Sequence, residues 1–351
     1  MSRHAFRRRA FALALAAALV GGCATQPRTR SAVVVPPGIE DARARFAGYF
    51  CAILDRDSGA LPDYRSCSEA LSNVESPIAV VGGTPVPGAS KSGLTAALVP
   101  GIGYGCIAEW LQPDTSIRDH LHRFGYDLRM IEVDALSGTG ANAKRIRDAV
   151  MATPEQATGA RLVLIGYSKG APDILDAIVS YPEMRSRIAA VVSLAGAVGG
   201  SPLADDADER TAQLFRHFPG AKCDAGDRHA VDALRPDVRK RWLAEHPLPA
   251  DIRYYSVVTL PDPDRVSAVL KPSYRKLRKL DARNDGQVIA ADQILPKGKL
   301  LAYLNADHWA VALPIARSHP MAGTMLVTDN DYPREALFEA IMRFIEDDIA
   351  N

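Results

Sequence analysis

The sequence predicts an α/β protein: a doubly wound, mostly parallel sheet covered by helices. Three observations predict it. Short runs rich in Val, Ile, Leu and aromatics recur along the chain, longer stretches with apolar residues at helical spacing separate them, and one run passes directly into Gly166-Tyr167-Ser168-Lys169-Gly170. Strands buried on both faces read as continuous apolar segments rather than alternating ones, and these runs have that character.

Taken in order, the predicted strands lie at 78–81, 95–99, 128–133, 161–165, 189–194, 252–260 and 300–304. Between them, Ile107, Leu111, Ile117, Leu121 and Phe124 share one helical face, Ile174, Leu175 and Ile178 follow the run at 161–165, and 336–345 closes the chain with apolar residues at helical spacing. The long interval between 194 and 252 breaks the rhythm. Helical patterns at 211–218 and 237–245 within it predict a lid insertion at about 201–250, over the carboxyl end of the sheet where such folds bind ligands.

Composition bounds the rest. At 351 residues, 47% hydrophobic and 24% charged, the chain is long enough to bury a sizeable core. The first 22 residues carry Arg3, Arg7, Arg8 and Arg9 and no acid, so removing them changes the balance from 42 against 41 to 38 against 41, a net charge of −3. No basic stripe with interleaved aromatics argues for nucleic acid, and the basic stretch 271–279 reads as a solvated helix face. The amino terminus has the form of an export signal: basic residues, an apolar run at 10–20 too short to span a bilayer, then small residues. Leu19-Val20-Gly21-Gly22-Cys23 resembles the bacterial lipobox, which implies a lipidated Cys23, a membrane anchor and, with Ala24 next, an outer-membrane destination. The predicted organisation is therefore a signal peptide at 1–22, a tether at 23–41 and one domain at 42–351.

Four cysteines remain, Cys51, Cys67, Cys106 and Cys223; an oxidising compartment permits pairing in three ways, of which Cys51–Cys67 with Cys106–Cys223 is favoured. No CxxC or Cys/His cluster argues for a metal, and no cofactor is expected.

The chemistry centres on Ser168. A buried strand running into Gly-x-Ser-x-Gly and then a helix is a nucleophile elbow, whose tight turn strains the serine backbone and thrusts its hydroxyl into the open. A serine needs a base, and in this arrangement the partners follow in the order acid, then histidine. Of the five histidines after the elbow, His308 lies in the loop after the last predicted strand; His217, His229 and His246 fall in the insertion, and His319 lies beyond a further helical run. The acid is expected at Asp285, in the tight turn Asn284-Asp285-Gly286, in competition with Asp262 and Asp264 just past the preceding strand and Asp281 at the end of a helical stretch, and with Asp292 a poor candidate. The glycine-rich loop Pro100-Gly101-Ile102-Gly103-Tyr104-Gly105 is expected to supply a backbone donor for an oxyanion, from Ile102 or failing that Gly103, alongside Lys169. Lys169 and Asp173, four apart in the first turns of a helix, read as an ion pair or as solvated side chains, with substrate recognition the alternative. Tyr104 and Trp309 are expected to flank the pocket.

These residues resemble the α/β-hydrolase superfamily, in its bacterial lipase-like branch. Beside the elbow, the stretch 193–205 running from Ser193 through Gly200-Ser201 to Ala204-Asp205 is similar to a lipase segment, and Asn284-Asp285-Gly286 is similar to the lipase acid loop. The resemblance covers 78–349; it departs at Pro100-Gly101, where lipases have His-Gly, and at Lys169, and 42–75 matches nothing. It implies cleavage of a carboxylic ester of a small molecule, lipid or polyester through an acyl-enzyme, in the cell envelope. An acyltransferase, thioesterase or amidase on the same fold, or a binding lipoprotein without catalysis, stays open.

Overall fold

The computed structural model describes residues 35–72, 88–109, 111, 115–152, 161–207, 226–321, 323, 327 and 331–351. The expected leader, Cys23, and the expected elements at 78–81 and 211–218 lie outside them.

Strands β1 (Glu40–Asp41), β2 (Thr95–Val99), β3 (Asp127–Met130), β4 (Leu162–Tyr167), β5 (Ile188–Leu194), β6 (Arg253–Thr259) and β7 (Lys299–Leu304) form one sheet in the order β1-β7-β6-β5-β4-β2-β3. Every strand pairing in it is parallel. The central strands β4 and β5 are buried throughout, which is why their sequences LVLIGY and IAAVVSL show no alternation. The edge strand β3 is largely exposed and stops at Met130, although Ile131 continues the pairing with an N–H bond of 2.9 Å to the Leu98 carbonyl.

The helices are α1 (Arg43–Asp57), α2 (Cys67–Ala70), α3 (Tyr104–Ile107), α4 (Ser116–Arg123), α5 (Thr139–Ala152), α6 (Gly170–Ser180), α7 (Leu203–Asp206), α8 (Pro236–Glu245), α9 (Lys271–Leu277), α10 (Ile315–Ser318) and α11 (Arg334–Ala350). Apolar residues of α5 and α6 cover one face of the sheet, and those of α1, α4 and α11 cover the other. The sheet is thus wound on both sides, as the sequence predicts. The apolar face at 107–124 belongs to two helices rather than one, α3 and α4, with Pro113 between them.

One boundary moves. The expected tether reaches into the fold, because Glu40 and Asp41 pair with Lys299 and Leu300 of β7. Residues 42–72 pack on the sheet: Phe46, Phe50, Ile53 and Leu54 of α1 are fully buried, and α1 packs against α11. Cys51 and Cys67 form the disulfide favoured from sequence, with their Cα atoms 5.1 Å apart. Cys106 is also disulfide-bonded, and Cys223, the partner expected for it, lies outside the described residues.

This architecture places the site. In parallel strands all carboxyl ends lie along one edge, and Ser168 follows β4, Asp285 lies in the connection after β6, and His308 follows β7.

Candidate active site

Ser168 has φ of +53°, a left-handed conformation that a residue with a side chain rarely adopts. The surrounding backbone holds it there: the Ser168 N–H donates to the Leu194 carbonyl at 3.2 Å, and its own carbonyl accepts from Ala171 at 3.2 Å and Ala197 at 3.0 Å. The two glycines of the elbow are demanded by space. A Cβ on Gly166 would collide with the backbone of α6 at Gly170 and Ala171, and one on Gly170 with the Val99 and Pro100 carbonyls of the neighbouring loop.

His308 Nε2 lies 2.9 Å from Ser168 Oγ, and its Nδ1 lies 2.7 Å from Asp285 Oδ2. A carboxylate only accepts, so Nδ1 carries the proton and Nε2 accepts from the serine hydroxyl. All three residues are buried, Asp285 completely. The carboxylate is held from five directions. Oδ2 also accepts from Thr259 Oγ1 at 2.6 Å and Gln293 Nε2 at 3.2 Å, while Oδ1 accepts the N–H groups of Gln287 at 2.8 Å and Val288 at 2.7 Å. Gln293 Oε1 accepts the Thr259 N–H at 2.8 Å, which fixes which end of the amide faces the acid. The imidazole backbone is pinned as well: the His308 N–H donates to the Asp285 carbonyl at 3.0 Å and the Tyr167 hydroxyl to the His308 carbonyl at 2.8 Å.

Asp307, next to the histidine, shapes the loop that carries it. Its Oδ1 accepts from the backbone of Trp309 at 3.0 Å and Ala310 at 2.9 Å, and its Oδ2 from Ser267 at 2.7 Å. Burial pushes its carboxyl above the usual range despite those bonds. Thr259, Gln293, Tyr167 and Asp307 were not singled out from sequence. An Asp just before the histidine and two residues before a turn signals an Asx-type cap, but nothing local marks Gln293, whose partner Thr259 lies 34 residues away in the chain.

The glycine-rich loop lies against the serine. A Cβ on Gly101 would stand 2.8 Å from Ser168 Cβ, so only glycine lets the loop come this close. The alternative donor Gly103 is corrected by the structure, since its N–H already donates to the Ala135 carbonyl at 3.0 Å. The Ile102 and Lys169 N–H groups have no backbone partner among the described residues. Of the two readings of Lys169 and Asp173, the ion pair is the one the structure has, and it is not solvated. Both side chains are almost fully buried, with Lys169 Nζ 2.7 Å and 2.9 Å from the two carboxylate oxygens, and Asn142 Nδ2 donates to Asp173 at 2.8 Å. Here burial raises the Asp173 carboxyl, outweighing the lowering by Lys169.

Beside Ser168 and His308 lies a cavity of about 620 Å³. Ile102, Ile107, Leu203, Val231, Leu234 and Trp309 are among its walls, and none of its described lining residues is Asp, Glu, Lys or Arg. Tyr104 and Trp309 both line it, as expected. The described parts of the insertion, including Leu203, Val231 and Leu234, form its wall.

The other candidates are placed elsewhere. Asp262 clamps Asn305, accepting its Nδ2 at 2.8 Å while the Asp262 N–H donates to Asn305 Oδ1 at 2.7 Å; Asp264 is exposed. His246 stacks on Trp242, His229 is exposed, His319 follows α10, and His217 lies outside the described residues. Asp57, His120 and Glu339 bring potential metal-ligating atoms within 4.8 Å of one another, but Arg56 and Arg343 both donate to the Glu339 carboxylate and supply the positive charge there.

A parallel sheet of this order, with a left-handed serine leaving a central strand and a histidine leaving a later one, is the arrangement of an α/β-hydrolase. The chain is 40% identical to the metagenomic carboxyl esterase MGS0156, whose crystal structure superposes with a TM-score of 0.81 over 91% of this chain and 97% of that one. Mature lipase BlEst2 of Bacillus licheniformis, 20% identical with a TM-score of 0.54 over 75% of this chain and 96% of that one, shares the fold. No family model and no curated protein matches the chain. The chain belongs to the esterases and lipases of the α/β-hydrolase superfamily.

Proposed function

We propose that the protein hydrolyses neutral carboxylic esters with Ser168 as nucleophile, His308 as general base and acid, and Asp285 as the group that orients and stabilises the imidazole. The observation that carries this reading is the continuous chain from Ser168 Oγ through His308 to Asp285, at 2.9 and 2.7 Å, beside an apolar cavity. Oγ attacks the ester carbonyl as Nε2 takes its proton. The negative oxygen of the tetrahedral adduct is received by the Ile102 and Lys169 N–H groups, helped by the amino end of α6. The adduct collapses as the imidazolium returns the proton to the leaving alcohol, and the acyl group stays on Ser168. Water, deprotonated by the same imidazole, then releases the acid. Walls without a formal charge favour uncharged acyl and alcohol groups, because a charge moved into them would lose its hydration without a partner.

We also place the protein in the cell envelope, anchored through lipid on Cys23; the sequence pattern at 19–23 supports this. Loss of incorporated palmitate in a Cys23→Ser variant is the expected result, and equal incorporation in both proteins would remove the anchor.

Labelling of the purified protein with a fluorophosphonate, with Ser168→Ala as control, tests the reaction together with a chain-length series of p-nitrophenyl esters. Labelling of the native protein alone and steady ester turnover are expected. Labelling without turnover points to acyl transfer, and no labelling points to a binding role.

A further inference from the structure

The stretch Lys271–Leu280, α9 and the turn after it, holds Lys271, Arg275, Lys276, Arg278 and Lys279 and no carboxylate. Lys276 pairs with Asp206 at 2.7 Å; the other four make no ion pair with a described residue. From sequence alone this is a solvated helix face, but its position gives it a different meaning. Val269, two residues before the helix, is 43% exposed and lines the cavity, so it stands at the rim. The Lys276–Asp206 bridge ties the helix to α7, whose Leu203 and Ala204 line the same cavity. On its buried side, Tyr274 joins Val266 and Leu270 in an apolar cluster against Trp309, another wall of the cavity. The helix therefore runs along the mouth with Arg275, Lys276, Arg278 and Lys279 turned outward.

We propose that α9 and its flanks dock the protein on an anionic phospholipid surface, with the mouth of the cavity facing the lipid. Charge complementarity supplies the attraction, since each Lys or Arg near such a surface contributes to binding and the stretch 271–280 holds five of them without an acid. The exposed apolar residues choose lipid over an acidic polymer or protein. Val269 and Leu280, 43% and 68% exposed, bracket the cations, and a bilayer interface accepts both kinds of side chain at once, burying the apolar ones below the level of the head groups. A polymer of acidic groups would leave them in water.

The test is sedimentation of the full chain carrying Cys23→Ser, which keeps any attached acyl chain out of the comparison, with phosphatidylglycerol or phosphatidylcholine vesicles. Preferential binding to phosphatidylglycerol that weakens as salt rises is expected. Arg275→Gln/Arg278→Gln/Lys279→Gln, all three exposed and unpaired with described residues, should lower that binding on the order of 100-fold while leaving the thermal midpoint unchanged. Val269→Ser/Leu280→Ser should lower binding to the same vesicles but not to dextran sulfate. Equal binding to both vesicle types, an unaltered triple variant, or dextran sulfate competing without any contribution from Val269 and Leu280 would overturn the proposal. None of these readings depends on ester turnover, so the docking and the proposed reaction stand or fall separately.

Discussion

At the residue scale, the geometry turns on how a buried carboxylate is kept in place. Asp285 accepts five hydrogen bonds, and two of them, from Thr259 of strand β6 and Gln293 of the turn at Ala290–Gln293, converge on the same oxygen, Oδ2. Gln293 does not reach Ser168; it acts through the acid. In Gln293→Leu the Thr259 N–H loses its acceptor and Asp285 Oδ2 a donor, so the imidazole is less well aimed. We expect kcat on esters to fall roughly 10- to 100-fold with KM little changed, since a small misplacement of a reacting group costs about that much. Steady-state kinetics across the pH range check it, and an unchanged kcat would show that the other four bonds suffice. Ser168→Ala is the extreme of the same scale, with an expected loss on the order of 10⁴-fold or more and preserved folding.

At the element scale, α6 begins on a buried ion pair. Lys169 reaches one turn along the helix to Asp173, and its backbone N–H is the donor assigned to the oxyanion. Removing one partner strands a charge inside the protein, whereas replacing both with apolar groups removes the desolvation cost together with the attraction. Lys169→Met should therefore cost about 3 kcal/mol or more, and Lys169→Met/Asp173→Leu should recover much of it, as read by urea denaturation. A single variant as stable as the native protein would mean that Asn142 alone satisfies the acid. The amino-terminal segment works at the same scale. Its Cys51–Cys67 bridge encloses Arg65, whose Nη1 donates to the Asn305 carbonyl at 3.0 Å, and precedes Ala70, whose carbonyl accepts the Asn305 N–H at 2.8 Å. Asn305 opens the loop that carries His308, so this segment braces the site from outside it. Cys51→Ala should lower stability by about 3 kcal/mol under oxidising conditions, the closure entropy of a loop of this length, and a reductant should abolish the difference between the two proteins.

At the scale of the whole molecule, three helices that never touch the cavity are joined through one acid. Glu339 of α11 accepts from His120 of α4 at 2.6 Å, from Arg56 of α1 at 2.7 Å and from Arg343 at 2.6 Å. Burial alone would raise its carboxyl; these bonds outweigh burial and hold it down at about 2, against an ordinary 4.5. A carboxylate held down in the folded state stabilises above its unfolded pKa and loses that contribution as protons bind. The stabilisation is therefore complete above about pH 4.5 and drains away as pH falls toward 2, in all about 3 kcal/mol. Asp348, lowered in the same direction by Lys299, Tyr255 and Arg45 against its own burial, adds to the acid sensitivity. Glu339→Gln should lose stability at pH 7 and show a flatter decline between pH 4.5 and 2, measured as thermal midpoints across that range; a parallel decline in both proteins would assign the sensitivity elsewhere.

What the sequence determined by itself was whatever is local in the chain. Apolar runs mark β2 and β4 to β7 to within a residue or two, because a strand covered on both faces must be apolar throughout. The elbow was legible because Gly-x-Ser-x-Gly sits in one short window between an apolar run and a helical one, and His308 and Asp285 because chain order confines them to two loops. Only the tertiary structure decided between donors and settings. Gly103 was ruled out by Ala135, Lys169 and Asp173 proved buried under residues such as Asn142, Gln293 gained its role from Thr259 and Asp285, and the basic face of α9 came to lie on the rim of the cavity. Burial and the satisfaction of polar groups depend on which segments meet across the sheet, and that is a property of the packed molecule rather than of any window along the chain.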